Sequence, residues 1–261
     1  MSGRDPNPLL ATRGLSVSIG GKRVCERLSL ALRAGQCLGV LGQNGVGKTT
    51  LLHTLAGLRA PDAGGVLLRG AALEQLSRRR IAQQVGLLLQ EHDDPFPARV
   101  LETALIGRHP HLDFWQWESA NDVRLARAAL AAVDLADLGQ REVNTLSGGE
   151  RQRLALATVI TQDPDVFLLD EPTNHLHLQH EVDLLRMLER YARDGGKAVA
   201  MTLHDVNLAA RFCDSLLLMF GDGETLVGPT AEVLTADNLQ RLFGVPVVAI
   251  AWEGGTVYQP R

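Results

Sequence analysis

Short apolar runs alternate along the chain with stretches whose apolar residues recur every three or four positions, a pattern that predicts an α/β domain. Residues 37–41, 85–89, 166–169 and 198–203 are continuous apolar runs rich in Val and Leu, as expected of parallel strands buried on both faces. Residues 215–220 have the same core-strand length. Each of the first four runs ends in polar residues: Gly42 onward, Gln90, Asp170 with Glu171, and His204. Open parallel sheets bind ligands at the carboxyl ends of their strands, so the pattern converges four polar groups on one crevice.

Between residues 91 and 150 the period becomes helical, with Val123, Ala126, Leu130 and Val133 on one face of a helix predicted over 120–135. This stretch is expected to form a helical lobe inserted in the core of one domain covering residues 1–261. Residues 15–19, 28–32 and 64–70 read as strands of a separate antiparallel layer. The tail over 229–243 is helix-compatible, with Gly244 as its stop.

The first run leads into Gly42-Gln-Asn-Gly-Val-Gly-Lys-Thr49, which satisfies Gly-x-x-x-x-Gly-Lys-[Ser/Thr] between a strand and a helix. Gly42, Gly45 and Gly47 let the loop, with Gln43, Asn44 and Val46, turn its backbone N–H groups toward phosphate oxygens. The helix N-terminus at Thr49 and Thr50 adds partial positive charge. Lys48 is placed to reach the β- and γ-phosphates, and the Thr49 hydroxyl to reach Mg²⁺. The chain holds only three lysines against 23 arginines, so a lysine at the one required position carries weight. Asp170 and Glu171 side by side at a buried strand end repel unless a cation lies nearby. Mg²⁺ is that cation, held by Thr49 and Asp170, with Glu171 as base for a water attacking the γ-phosphate.

Bulk properties narrow the field. The 261 residues carry a formal net charge of -4, so no basic excess points to nucleic acid. Cys25, Cys37 and Cys213 are scattered and support neither a disulfide framework nor a zinc site. No apolar run approaches the roughly 18–20 residues of a spanning helix, and residues 1–8 lack a secretory apolar stretch, so the chain is expected to stay in the cytosol.

The most discriminating motif is Leu146-Ser-Gly-Gly-Glu-Arg-Gln-Arg153, just before Asp170. It resembles the signature of ATP-binding cassette (ABC) ATPases, and Gln90, residues 172–177 and His204 resemble that family's Q-loop, D-loop and switch histidine, in family order. The resemblance implies a P-loop NTPase core with an antiparallel β lobe and a helical lobe. It also implies ATP and Mg²⁺ as cofactors, and a homodimer in which each ATP lies between one chain's P-loop and the other's Ser147, Gly148 and Gly149. His204 and Gln90 would then join Glu171 in catalysis, and Gln90 would join Thr49 and Asp170 around the Mg²⁺. Two glycines at a helix expected to begin near Glu150 suit such an anion site on physical grounds.

Two positions depart from the family pattern. Ile19 stands where an aromatic residue stacks on adenine, and His177 stands where the D-loop carries Asp. His175, His177 and His180 are read as an incidental cluster rather than a metal site. The segment Asp113-Phe-Trp-Gln-Trp117 suits a partner surface and core anchoring equally, and residues 92–99 are the candidate zone for a membrane subunit.

Residues 107–111, 202–208 and 230–234 resemble the iron-siderophore, haem and cobalamin uptake group. That implies membrane permease subunits as partners, a periplasmic or extracellular binding protein reached indirectly, no nucleic acid, and a peripheral place on the cytoplasmic face of the inner membrane. A soluble ABC ATPase, an importer of another substrate and a simple P-loop kinase are the alternatives.

Overall fold

The computed structural model describes residues 7–89, 98–113, 115–252 and 255–261. The chain begins with β1 (Leu10–Ile19), β2 (Lys22–Leu28) and β3 (Ala31–Leu32), then crosses to a second sheet with β4 (Cys37–Gly42) and α1 (Lys48–Leu55). It returns for β5 (Ala63–Leu68) and β6 (Ala71–Ala72), and α2 (Arg78–Gln84) leads to β7 (Val85–Leu88). The helical lobe follows, with α3 (Val100–Leu105), a 3₁₀ segment at Ile106–His111, α4 (Ala120–Ala132) and α5 (Gly148–Gln162). The remainder is β8 (Val166–Leu169), α6 (Leu178–Arg193), β9 (Ala198–Thr202), α7 (Val206–Phe212), β10 (Ser215–Gly221), β11 (Glu224–Pro229), α8 (Thr230–Val233), α9 (Ala236–Phe243) and the hairpin β12 (Val247–Trp252) and β13 (Gly255–Pro260).

The central sheet has the order β11-β10-β4-β9-β8-β7 and is parallel except for the β10–β11 pair. Its strands bury both faces at period two. Leu41, Phe167, Leu169, Met201 and Leu218 join a core shared with α4, α5, α6 and α9, whereas Leu38, Val40, Leu168, Ala200 and Leu217 face α1 and the antiparallel layer. That double burial is why these strands read as unbroken apolar runs. Four neighbouring strands, β4, β9, β8 and β7, run the same way, so the residues after each share one edge of the sheet.

The antiparallel layer has the order β2-β1-β5-β6, with β3 beside β1. Here the expected strand over 28–32 is corrected. The chain breaks at Leu28–Ala31 because the Thr12 hydroxyl donates to the Leu28 carbonyl and accepts from the Leu30 N–H, both at 2.9 Å. The strand proper lies earlier, at Lys22–Leu28, and polar Lys22, Arg23, Glu26 and Arg27 on its exposed face hid it. The hairpin β12–β13 was not anticipated either. Gly244 ends α9 at φ 75°, as its position suggested.

In the helical lobe, Ser119 and Asp122 cap α4 reciprocally. Asp122 also accepts from Arg108 Nε at 2.8 Å, and Arg108 Nη1 donates to the Thr161 carbonyl at 3.1 Å near the end of α5. A Cβ on Gly107 would lie 2.2 Å from the Thr158 carbonyl oxygen. The motif at 107–111 is thus a joint between the 3₁₀ segment, α4 and α5. Among the described residues no helix is long and apolar enough to cross a membrane.

Candidate functional site

The loop after β4 closes over α1 because two glycines permit it, for different reasons. Gly47 has φ 107°, and a Cβ there would meet Val24 at 2.6 Å, so both its dihedral and its surroundings require glycine. Gly42 has no left-handed dihedral; a Cβ on it would press on Val46 at 2.9 Å and on the Met219 carbonyl at 3.0 Å. The expectation that Gly42 serves backbone freedom is corrected to close packing against β10.

Lys48 is buried, and its Nζ donates to the carbonyls of Gly42 at 2.9 Å and Gln43 at 3.3 Å. Burial lowers the pKa of this ammonium, while Glu171 and Asp170 pull the other way. The Gln43 side chain turns aside to donate to the Leu242 carbonyl at 2.9 Å.

A cavity of about 450 Å³ is lined by Ile19, Asn44, Gly45, Gly47, Lys48, Thr49, Thr50, Glu171 and His204. The structure therefore brings together the loop after β4, the residue after Asp170 at the end of β8, and the histidine past β9. Ile19, 46% exposed, sits on its wall.

Thr202 of β9 ties down the Asp170 carboxylate and the Glu171 backbone. The Thr202 hydroxyl donates to Asp170 Oδ1 at 2.7 Å and accepts from the Glu171 N–H at 2.7 Å. Glu171 Oε1 lies 2.6 Å from His204 Nε2, and Oε2 accepts from Asn174 Nδ2 at 2.5 Å. Glu171 adopts φ 49°, a left-handed conformation uncommon for this residue type, at the point where strand gives way to loop. Gln152, on α5, donates to the Glu171 carbonyl at 3.3 Å. Thr202, Asn174 and Gln152 lie inside motifs named from the sequence, but their bonds to the acidic pair were not foreseen.

Asp170 is 1% exposed, and its Oδ2 has no hydrogen-bond partner among the described residues. Taken together with the Thr49 hydroxyl, a buried carboxylate oxygen left open makes a hard oxygen donor set that fits Mg²⁺. Gln90, the third expected ligand, and residues 92–97 of the expected contact zone lie outside the described residues.

Ser147, Gly148 and Gly149 do not line this cavity. The helix α5 starts at Gly148, two residues earlier than expected, and the Ser147 hydroxyl accepts from the Glu150 N–H while Glu150 Oε2 accepts from the Ser147 N–H at 2.7 Å. The Ser147 hydrogen bonds hold the Glu150 carboxyl below its usual range. Trp115 and Trp117 are 88% and 86% exposed, so neither anchors the core. Among the described residues no group of three His, Cys, Asp or Glu side chains could hold a metal ion.

A buried lysine under a glycine loop, with two consecutive carboxylates at the end of β8, defines a nucleoside-triphosphate-binding α/β domain. The family model for ABC transporters matches residues 25–174. The hemin import ATP-binding protein of Pseudomonas aeruginosa is 41% identical over 92% of this chain and 94% of its own length. The iron(3+)-hydroxamate import ATP-binding protein of Bacillus subtilis is 32% identical over 90% and 88%. Among solved structures, a metal-chelate type ABC transporter in an inward-facing conformation superposes with a TM-score of 0.86 at 30% identity, covering 98% of both chains. The chain belongs to the ABC transporter family, and it is an ATP-binding and ATP-hydrolysing subunit.

Proposed function

We propose that this chain is the motor of an ABC importer that takes up a metal chelate, of the iron-siderophore, haem or cobalamin kind, working as a homodimer beneath membrane permease subunits. The observation that carries the reading is the division of phosphate-binding parts. Lys48, Thr49 and Glu171 share one cavity, whereas Ser147–Gly149 stand outside it on the same chain. A second copy turned head to tail would bring its signature loop over that cavity. The names of the relatives, which include hemin, hydroxamate, enterobactin and cobalamin import proteins, support the cargo class. The same names support a place on the cytoplasmic face of the membrane, where the permeases present themselves; a binding protein outside would act only through them.

The residues have distinct tasks in this reading. Gly42, Gln43, Asn44, Gly45, Val46 and Gly47 offer backbone N–H groups to the phosphates, with Thr50 in the first turn of α1. Lys48 leaves the Gly42 and Gln43 carbonyls for the β- and γ-phosphate oxygens. Glu171 accepts a proton from the water whose oxygen bonds to the γ-phosphorus as the β–γ bridging bond breaks, releasing ADP and phosphate. Its two oxygens are already oriented by His204 and Asn174. Thr49, Asp170 and Gln90 would hold Mg²⁺, which neutralises charge gathering on the phosphates. Ile19 offers no ring to the base, so phosphate contacts dominate affinity.

The test is ATPase activity in membranes from cells expressing the chain with the products of its neighbouring genes. Stimulation that needs a membrane protein, and disappears with Glu171→Gln and with Lys48→Ala, is the expected result. Full activity in the soluble fraction, indifferent to any membrane protein, would leave a soluble ABC ATPase instead.

A further inference from the structure

A second cavity, of about 540 Å³, lies at the end of α1 away from Lys48, between that helix, α2 and the β1–β5 pair. Part of its wall is apolar, formed by Val66, Leu73 and Ile81. Arg13, Arg59 and Arg78 also line it, and among the lining residues Glu74 is the one acid. None of these arginines forms an ion pair among the described residues, although 11 such pairs occur elsewhere.

Backbone contacts account for part of this charge. Arg59 Nη2 donates to the Ser18 carbonyl at 2.6 Å, and Arg78 Nη1 donates to the Gly57 carbonyl just past α1. One cation is enough for a helix C-terminus. Arg59 Nε, however, is buried with no partner among the described residues, and a buried donor left so destabilises the fold. Three guanidinium groups around one concavity also repel each other until an anion arrives.

We propose that this cavity binds a small organic anion, an apolar body carrying a carboxylate or a phosphate. The anionic group pairs with the guanidinium of Arg59 and with that of Arg78 or Arg13, and the body rests on Leu73 and Ile81. Arginine forks suit both oxyanions, and the volume falls within the usual range for small-molecule sites. The site is separate from the loop after β4 and does not depend on the transport reading.

Phenyl phosphate tests the proposal, titrated calorimetrically into the full chain while Mg²⁺ and a non-hydrolysable ATP analogue saturate the first cavity. Benzyl alcohol is the neutral match. One-to-one binding of phenyl phosphate at about 1 mM or tighter is expected, with none of the alcohol. Arg59→Gln should weaken it roughly tenfold. Ala72→Trp, which fills the cavity and keeps every arginine, should abolish it. Retained analogue binding reports that each variant is folded. No binding to the wild type, binding that survives both variants, or equal binding of the alcohol overturns the proposal.

Discussion

The helices α1 and α5 both start on glycine loops, yet their N-termini differ in what is already attached to them. At α1, Gly47 gives no side-chain cap, and the first turn opens into a cavity beside a buried lysine and two carboxylates. At α5, Ser147 and Glu150 cap each other, the loop is exposed and lines no part of that cavity. An uncapped helix start keeps its N–H groups for a ligand, at the cost of stability when the ligand is absent. A self-capped one is stable alone. Of the two, the first is the one placed on a cavity with a buried lysine, and in the proposed head-to-tail dimer the second would serve a phosphate whose lysine belongs to another copy.

The largest effects should fall on the α1 side. Glu171→Gln should cut turnover in the assembled transporter by about 10²–10⁴-fold while nucleotide binding persists. Lys48→Ala should lower both turnover and ATP affinity, because it removes the one buried cation of the cavity. Steady-state phosphate release and equilibrium binding of a labelled nucleotide separate the two. Equal loss of binding in both variants would show that Glu171 shapes the pocket rather than the chemistry.

The α5 side should behave differently. Ser147→Arg should leave nucleotide binding by the single chain unchanged and abolish ATPase activity of the assembly. Mixed with Lys48→Ala chains, it should regain activity, since a mixed dimer keeps one site with an intact loop on one chain and an intact signature on the other. No recovery on mixing would break the comparison, because the two loops would then act within one chain.

A third capped helix sharpens the contrast. At α4 the Asp122 of the capping box is buried, and the Ser119 hydrogen bonds, with Arg108 assisting, bring its carboxyl down to about 2 from 3.8. A depressed carboxylate contributes stability that is present above its unfolded pKa and lost as pH falls through the folded one. Asp122→Asn should therefore cost about 2 kcal/mol near neutral pH, and the difference should vanish between about pH 4 and pH 2. Denaturant unfolding across that range checks it. A difference that persists at pH 2 would assign the cost to packing rather than to the charge.

What could be read without coordinates follows the same division. The buried parallel strands were legible because both of their faces are apolar, and the loop after β4 because its chemistry needs glycines and a lysine in fixed order. The strand Lys22–Leu28 was not, since its exposed charged face breaks the pattern that marks a core strand. The bonds of Thr202 escaped for another reason. Its hydroxyl joins Asp170 to the Glu171 backbone from a strand that is 32 and 31 residues away, and no local spacing records such a bond.

The smallest effect concerns α6, whose N-cap His177 makes no capping hydrogen bond. Histidine is a poor cap, and a positive imidazole at a helix N-terminus opposes the dipole, whereas aspartate accepts from the first-turn N–H groups and adds a favourable charge. His177→Asp should therefore stabilise the isolated chain by about 0.5–1 kcal/mol, measured by denaturant unfolding at pH 7. The same change restores the residue expected in a D-loop, and it should raise the cooperativity of ATP hydrolysis in the assembly. Stabilisation with an unchanged Hill coefficient would confine His177 to the helix start. A higher coefficient without stabilisation would mean that the carboxylate acts across the dimer and leaves its own helix uncapped.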